Sequence, residues 1–403
     1  MSRPRALLAN EAGGGRGHVT TLATVARALG RKVTLVSALA RDAYAKEVSD
    51  LCESSFKPPL LSRTREDEVR LGFRGCATWA DGLATLGLAD ETRIRRGLRF
   101  WRNLIVDQDI SLLVADHAPL ALWAARGLRD EGWDMRVVNI GIGYTVPPSD
   151  LLHFPPFLPD VLRTLHDEAA TLAVLNRVGA EFDLAPLPRL SALYAVDLSL
   201  VTSFAFLDPY VRTRDPAVRI PPLVPASRVK AGAGRGIFVY FSTTELADPA
   251  LVDALACLSV PRRGYLPSAP SDVHNRLLAS GMELLDQPAS AHDIADYARL
   301  IVHAAPHGTI SLAALAGLPQ VGIPQHQEQL YNARTAAARG ILRIGQRGNS
   351  GLGSLIAEAY ADERLAAAAL AFAEPLRISH PWDPEADLSA RIDPLLFGLG
   401  VPV

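Results

Sequence analysis

The chain has 403 residues, which at roughly 150 residues per domain makes two or three domains, and we take two. Apolar residues make up 49% and charged residues 21%, a globular balance that excludes disorder and collagen-like repeats. Lys plus Arg (41) nearly cancels Asp plus Glu (43), so the net charge of −2 offers no basic face for a nucleic-acid partner.

The three cysteines, Cys52, Cys76 and Cys257, have no metal-ligand spacing and are too few for a disulfide scaffold. A reducing, cytoplasmic setting is the expectation. No stretch reaches the ~20 apolar residues of a membrane span, and the apolar run before Glu11 is too short for a signal-peptide core. Lysine occurs only at Lys32, Lys46, Lys57 and Lys230, so nearly all basic residues are arginine, a usage associated with high-GC bacterial coding.

In chain order, RALLAN predicts a strand that ends in the glycine turn GGGRGH. Val19, Leu22, Ala26 and Leu29 then recur at helical spacing up to Gly30, and KVTLVSA predicts the next strand. Strand, glycine turn, helix, strand is a right-handed βαβ unit of a parallel sheet. Strands follow at 110–116 and 135–141, with an Ala/Leu-rich helix around 118–129 between them. Residues 144–160 are rich in proline and aromatics, and a helix is expected over 161–182. A strand at 197–203 leads to a Pro/Gly-rich connector.

The second half repeats the theme. It has strands at 236–242, 298–304 and 320–324, a helix from Thr309 to Ala316, a helix stopped at Gly340, and a last helix near the C-terminus. The expected fold is α/β, with two Rossmann-like domains facing across a cleft. The domains run 1–215 and 236–378, with a linker at 216–235 and a C-terminal segment, 379–403, that packs back on the first domain. Ligands of such sheets bind at the carboxyl ends of the strands.

Three signals carry chemistry. In GGGRGHV, Gly15 and Gly17 lack the Lys-Ser/Thr of a P-loop and the third glycine of a dinucleotide fingerprint. The glycines let backbone approach a bulky ligand, and His18 falls in the first turn of the next helix. The positive helix end disfavours imidazolium, so His18 should be neutral near pH 7 and usable as a general base. A turn-capping histidine is the plainer reading. Asp116 ends LLVAD, where a carboxylate points into the ligand crevice and can orient His18; a helix cap is the plainer reading, and His117 is a competing partner or spectator. In the third signal, 302–333, His303 leaves a strand and His307-Gly308-Thr309 opens a helix whose amides suit a phosphate. Glu328 and Gln329 follow, an acid and an amide able to bond several sugar hydroxyls.

These segments together resemble the inverting, nucleotide-sugar-dependent glycosyltransferases of the UDP-glycosyltransferase superfamily, of GT-B fold and bacterial natural-product type. The resemblance spans most of the chain. It implies His18 as catalytic base and Asp116 as its partner acid. It puts Ser242 and Thr243, from IFVYFSTTE, near the donor diphosphate, with Gly308, Thr309 and either His303 or His307 at the phosphates. Glu328-Gln329 falls on the family's sugar-binding pair, in PQHQEQLYNA. The phosphate turn HAAPHGT departs from the family's His-x-Gly-x-Gly-Thr/Ser, with Ala305 and Pro306 where glycines are common.

The resemblance implies a UDP- or dTDP-linked sugar as co-substrate, a small acceptor, no further cofactor and no metal; the Pro/aromatic stretch at 144–160 speaks for a separate, apolar acceptor. The altered turn motivates a second reading, a non-catalytic nucleotide-sugar-binding partner subunit. A third keeps the fold but makes it a sugar-nucleotide epimerase. The sequence leaves the sugar, the nucleotide base, the acceptor and the oligomeric state open.

Overall fold

The computed structural model describes residues 3–13, 15–71, 75–224, 234–378 and 383–399. It divides into two units: Met1–Leu223 with Pro384–Val403, and Val224–Asp383. Much of the expected connector, and Trp382 in the C-terminal segment, lie outside the described residues.

The first unit is built on seven parallel strands. They are β1 (Arg5–Asn10), β2 (Thr34–Leu39), β3 (Ser54–Phe56), β4 (Ile110–Ala115), β5 (Arg136–Gly141), β6 (Leu198–Thr202) and β7 (Arg219–Ile220), in the order β3-β2-β1-β4-β5-β6-β7. The central strands are buried along nearly their whole length, because helices cover both faces of a parallel sheet. The order reverses between β1 and β4, so the loops leaving those two strands diverge and leave a crevice at their carboxyl ends. The helix Arg16–Leu29 follows β1 and packs Leu22, Val25, Ala26 and Leu29 onto the sheet.

The C-terminal helix, Pro384–Phe397, belongs to this unit. It buries Leu388, Ile392 and Leu396 in the same cluster and pairs with the first helix and the turn after it through Arg27–Glu385 (2.6 Å) and Lys32–Asp393 (2.7 Å).

The second unit has six parallel strands: β8 (Gly236–Tyr240), β9 (Arg262–Tyr265), β10 (Glu283–Leu284), β11 (Ala298–His303), β12 (Gln320–Gly322) and β13 (Leu342–Ile344), in the order β10-β9-β8-β11-β12-β13. Its order reverses between β8 and β11, the equivalent place. One expected helix is shorter than the sequence pattern implies. Residues 161–167 are not helical, and the helix runs Glu168–Ala180. Asp81 accepts the amides of Leu165 and His166, both at 3.0 Å, and Asp167 caps the helix by accepting from Ala170. That tertiary bond and cap outweigh the local helical pattern.

Candidate functional site

In the first unit the two loops at the switch point bring His18 and Asp116 together. Nδ1 of His18 lies 3.0 Å from Oδ1 of Asp116, although 98 residues separate them. The Asp116 side chain is 2% exposed and that of His18 is 23% exposed, so a buried acid backs a reachable imidazole. Asn10 ties the loops together: its amide donates to the carbonyls of Ala12 and Asp116, both at 2.9 Å.

The glycine that matters is neither Gly15 nor Gly17. A Cβ at either would meet nothing within 4 Å. Gly13 has φ +91°, and a Cβ there would sit 2.3 Å from Nε2 of His18 and 2.4 Å from its Cδ2. The imidazole lies against bare backbone. Gly141, at the end of β5, does the same for the acid: a Cβ there would lie 3.0 Å from Oδ1 of Asp116.

Two buried residues lie beneath the dyad: Glu11, given no role from sequence, and His117, expected as a competing partner or spectator. Glu11 accepts from the indole N–H of Trp101 and from the amide of Leu120 (2.9 Å), so it braces the chain just after Asp116. Burial pushes its carboxyl up to about 8, against the N–H donors that favour the ionised form. His117 has φ +53° and its carbonyl accepts from the Glu11 amide (3.3 Å). Its ring packs between His18 and Trp79, with centroids 5.6 and 5.3 Å away. Burial, and then the neighbouring His18, pushes it down to about 3. The sequence signal for Glu11 was a carboxylate directly after a buried strand.

The second unit gathers its candidate residues around its own switch point. Ser242 is half-buried and Thr243 exposed in the loop after β8. That loop is held by Glu245, which accepts from the Thr243 amide (2.7 Å), and by Thr244, whose hydroxyl donates to Gln325 (3.2 Å). His303 is fully buried and both ring nitrogens are engaged inside the unit: Nδ1 accepts from the Ala305 amide (2.8 Å) and Nε2 lies 3.1 Å from Oε1 of Gln320. His303 thus shapes the turn from below. His307 is also buried, in the first turn of the helix His307–Ala316. Burial pushes both imidazoles down to about 4, so both are neutral at pH 7.

Ala305 stands at φ +63°, the conformation a glycine would take more easily. Gly308 is exposed with open space at its Cβ position, and Thr309 is half-buried. Pro306 caps the helix without a side-chain bond, so the amides of the first turn lie at the positive helix end, an environment that favours negative charge. Gln329 is turned inward: its Oε1 accepts from the Gln325 amide (2.8 Å) and fixes the loop before the helix Gln327–Ala337, while Glu328 is half-buried. Among the described residues no group of three or more His, Cys, Asp or Glu side chains is placed to hold a metal ion, and no helix is long and apolar enough to cross a membrane.

No family model and no curated protein matches the sequence. Solved structures do. CalG4, the calicheamicin glycosyltransferase, aligns over the whole of both chains at 17% identity and a TM-score of 0.67. The spinosyn rhamnosyltransferase SpnG, complexed with spinosyn aglycone, aligns over 96% of this chain and 99% of its own at 17% identity and 0.60. SsfS6 from Streptomyces sp. SF2575, complexed with thymidine diphosphate, covers the same shares at 15% identity and 0.60. At these identities the likeness establishes architecture: the chain has the GT-B fold of bacterial natural-product glycosyltransferases, two parallel sheets with flanking helices.

Proposed function

We propose that the protein is an inverting glycosyltransferase, moving a sugar from a UDP- or dTDP-linked donor to a hydroxyl of a small acceptor. The observation that carries this reading is the 3.0 Å contact of His18 with buried Asp116 at the switch point of the first sheet. Asp116 holds the proton on Nδ1 and leaves Nε2 as the basic nitrogen. Nε2 takes the hydroxyl proton as the acceptor oxygen bonds to the anomeric carbon. The bond from that carbon to the diphosphate breaks, and one displacement inverts the configuration. Asp116 stabilises the imidazolium that forms.

The departing diphosphate gains charge. The amides of Gly308 and Thr309, the Thr309 hydroxyl and the loop of Ser242 and Thr243 are the groups that fit it. Glu328 is the residue offered to the sugar hydroxyls. The reading calls for no cofactor beyond the nucleotide sugar. That SsfS6 binds thymidine diphosphate and SpnG binds an aglycone supports both halves. Ala305 and Pro306, where the resemblance leads one to expect glycines, motivate the non-catalytic alternative; Ala305 takes the left-handed φ of +63° that a glycine there would take readily.

The deciding experiment is His18→Ala with UDP- and dTDP-sugars and a panel of phenolic acceptors. Turnover should fall by about 10²–10⁴, the usual worth of a general base. The rise in melting temperature with nucleoside diphosphate should stay as in the parent. Unchanged transfer by the variant refutes the role of His18. Release of an altered sugar without acceptor would identify an epimerase instead.

A further inference from the structure

The run TRIRRGLRFWRN at 92–103 carries five arginines on the helix Glu91–Asp107, and the fold sorts them. Arg93 is tied to Asp90 (3.5 Å) and Arg102 to Glu131 (2.8 Å), while Arg95 donates to both carboxylate oxygens of Glu181, each at 2.6 Å. Arg96 and Arg99 are exposed and have no ion pair or hydrogen bond among the described residues. Glu181 feels the charge of Arg99, but its hydrogen bonds go to Arg95. Thr92, Arg96, Arg99 and Asn103 recur at helical steps, so the two unpaired guanidiniums share one stripe of the helix with a hydroxyl and an amide.

That stripe forms one wall of a cavity of about 450 Å³. Small-molecule sites occupy about 300–1,000 Å³. The other wall is the chain leaving β3, which brings Lys57 and Pro59. Lys57 reaches Asp42 (2.5 Å), but both side chains are largely exposed, so that pair is weak. No Asp or Glu lines the cavity, although the whole chain carries more acids than bases. A cleft lined by charge of one sign concentrates the opposite ion. Phe100, half-buried, and Pro59 give the same cavity an apolar side.

We propose that this cavity is a binding site for an organic phosphate, with the phosphoryl group held by Arg96 and Arg99 and an apolar or aromatic body laid against Phe100 and Pro59. The planar guanidinium fork matches phosphate oxygens two at a time, and two forks one helical turn apart can take one phosphoryl group together. The size of the cavity favours a small molecule over an extended acidic chain. The site shares no residue with the His18–Asp116 pair or with the first turn of the helix His307–Ala316, and it does not depend on the transferase reading.

The test is calorimetric titration of the full chain, at low ionic strength, with 1-naphthyl phosphate, 1-naphthol, inorganic phosphate and a tetraglutamate peptide. The parent protein should bind 1-naphthyl phosphate about ten-fold more tightly than any of the other three. Replacing both arginines, Arg96→Gln with Arg99→Gln, should weaken that binding about ten-fold or more. Both positions are exposed and glutamine is a good helix former, so the double variant should melt with the parent. Arg129→Gln, which removes a charge from the helix Pro119–Asp130, and Gly308→Asp in the second unit should both keep the parent affinity. Unchanged affinity in the double variant, or loss in Gly308→Asp instead, overturns the proposal. Equal affinity for inorganic phosphate would show a site for the bare anion, and tighter binding of tetraglutamate would show a surface for an acidic segment; either result overturns it too.

Discussion

Gly13→Ala is the sharpest perturbation of the proposed base, His18. The new methyl carbon would lie 2.3 Å from Nε2 of His18 and 2.4 Å from Cδ2, where contacts of about 3.5–4.0 Å are normal. The imidazole must withdraw by an ångström or more, and its 3.0 Å bond to Asp116 cannot survive that. The backbone at φ +91° adds strain of order 1–3 kcal/mol. Turnover should therefore fall by about 10²–10⁴, as for loss of the base itself. Gly15→Ala and Gly17→Ala are the controls, since their methyls enter open space. Gly17 lies inside the first helix, so alanine there should stabilise by about 0.5–1 kcal/mol. The assay is initial-rate transfer on all three variants, with circular dichroism melting as the fold check and nucleoside diphosphate thermal shift as the check on the other unit. Wild-type turnover in Gly13→Ala, or loss confined to the two controls, refutes the reasoning.

Three further outcomes follow from the geometry. Gly308→Asp puts a carboxylate on the first-turn amides of the second unit, so nucleoside diphosphate affinity measured by calorimetry should drop about 5–30-fold while melting temperature holds. Arg214 is 2% exposed and donates to Asp208 (2.7 Å) and to the carbonyls of Val146 (2.6 Å) and Gly143 (3.0 Å), so Asp208→Asn should lower unfolding free energy in urea by about 3–5 kcal/mol. Glu11 has a folded pKa raised above its unfolded value, so the unfolded chain ionises first. Its contribution is full below about 4.5 and is lost as pH rises to about 8. The buried histidines pull the other way below about 6.5, so the readout is a difference: the urea midpoint of the parent minus that of Glu11→Gln, followed by tryptophan fluorescence, should fall across that window.

The sheets were legible because buried parallel strands write themselves as apolar runs, as in ISLLVAD and ARLIVHA, each closed by a polar residue at the ligand end. His18 and Asp116 were legible for the same reason: each follows a strand at a position the topology turns inward. The glycine turn was not resolved residue by residue, because a run of glycines hides which one faces a neighbour and which faces solvent. Only the fold shows that Gly13 carries the contact. Glu11 was visible as a residue but not as a brace, since its partners Trp101 and Leu120 come from 90 and 109 positions away. The turn at Ala305 was hidden by the absence of glycine, and the overlong helix before Glu168 by a bond to distant Asp81.

The return of the last helix to the first unit makes the second an insertion, entered near Val224 and left near Asp383. Grafting a foreign second unit onto this scaffold therefore requires two seams, one at each crossing. A single-junction chimera would carry away Leu388, Ile392 and Leu396 and strip the flank of the helix that bears His18. Recombination that ignores the second seam should yield proteins that lose the His18–Asp116 pair through unfolding of the first unit.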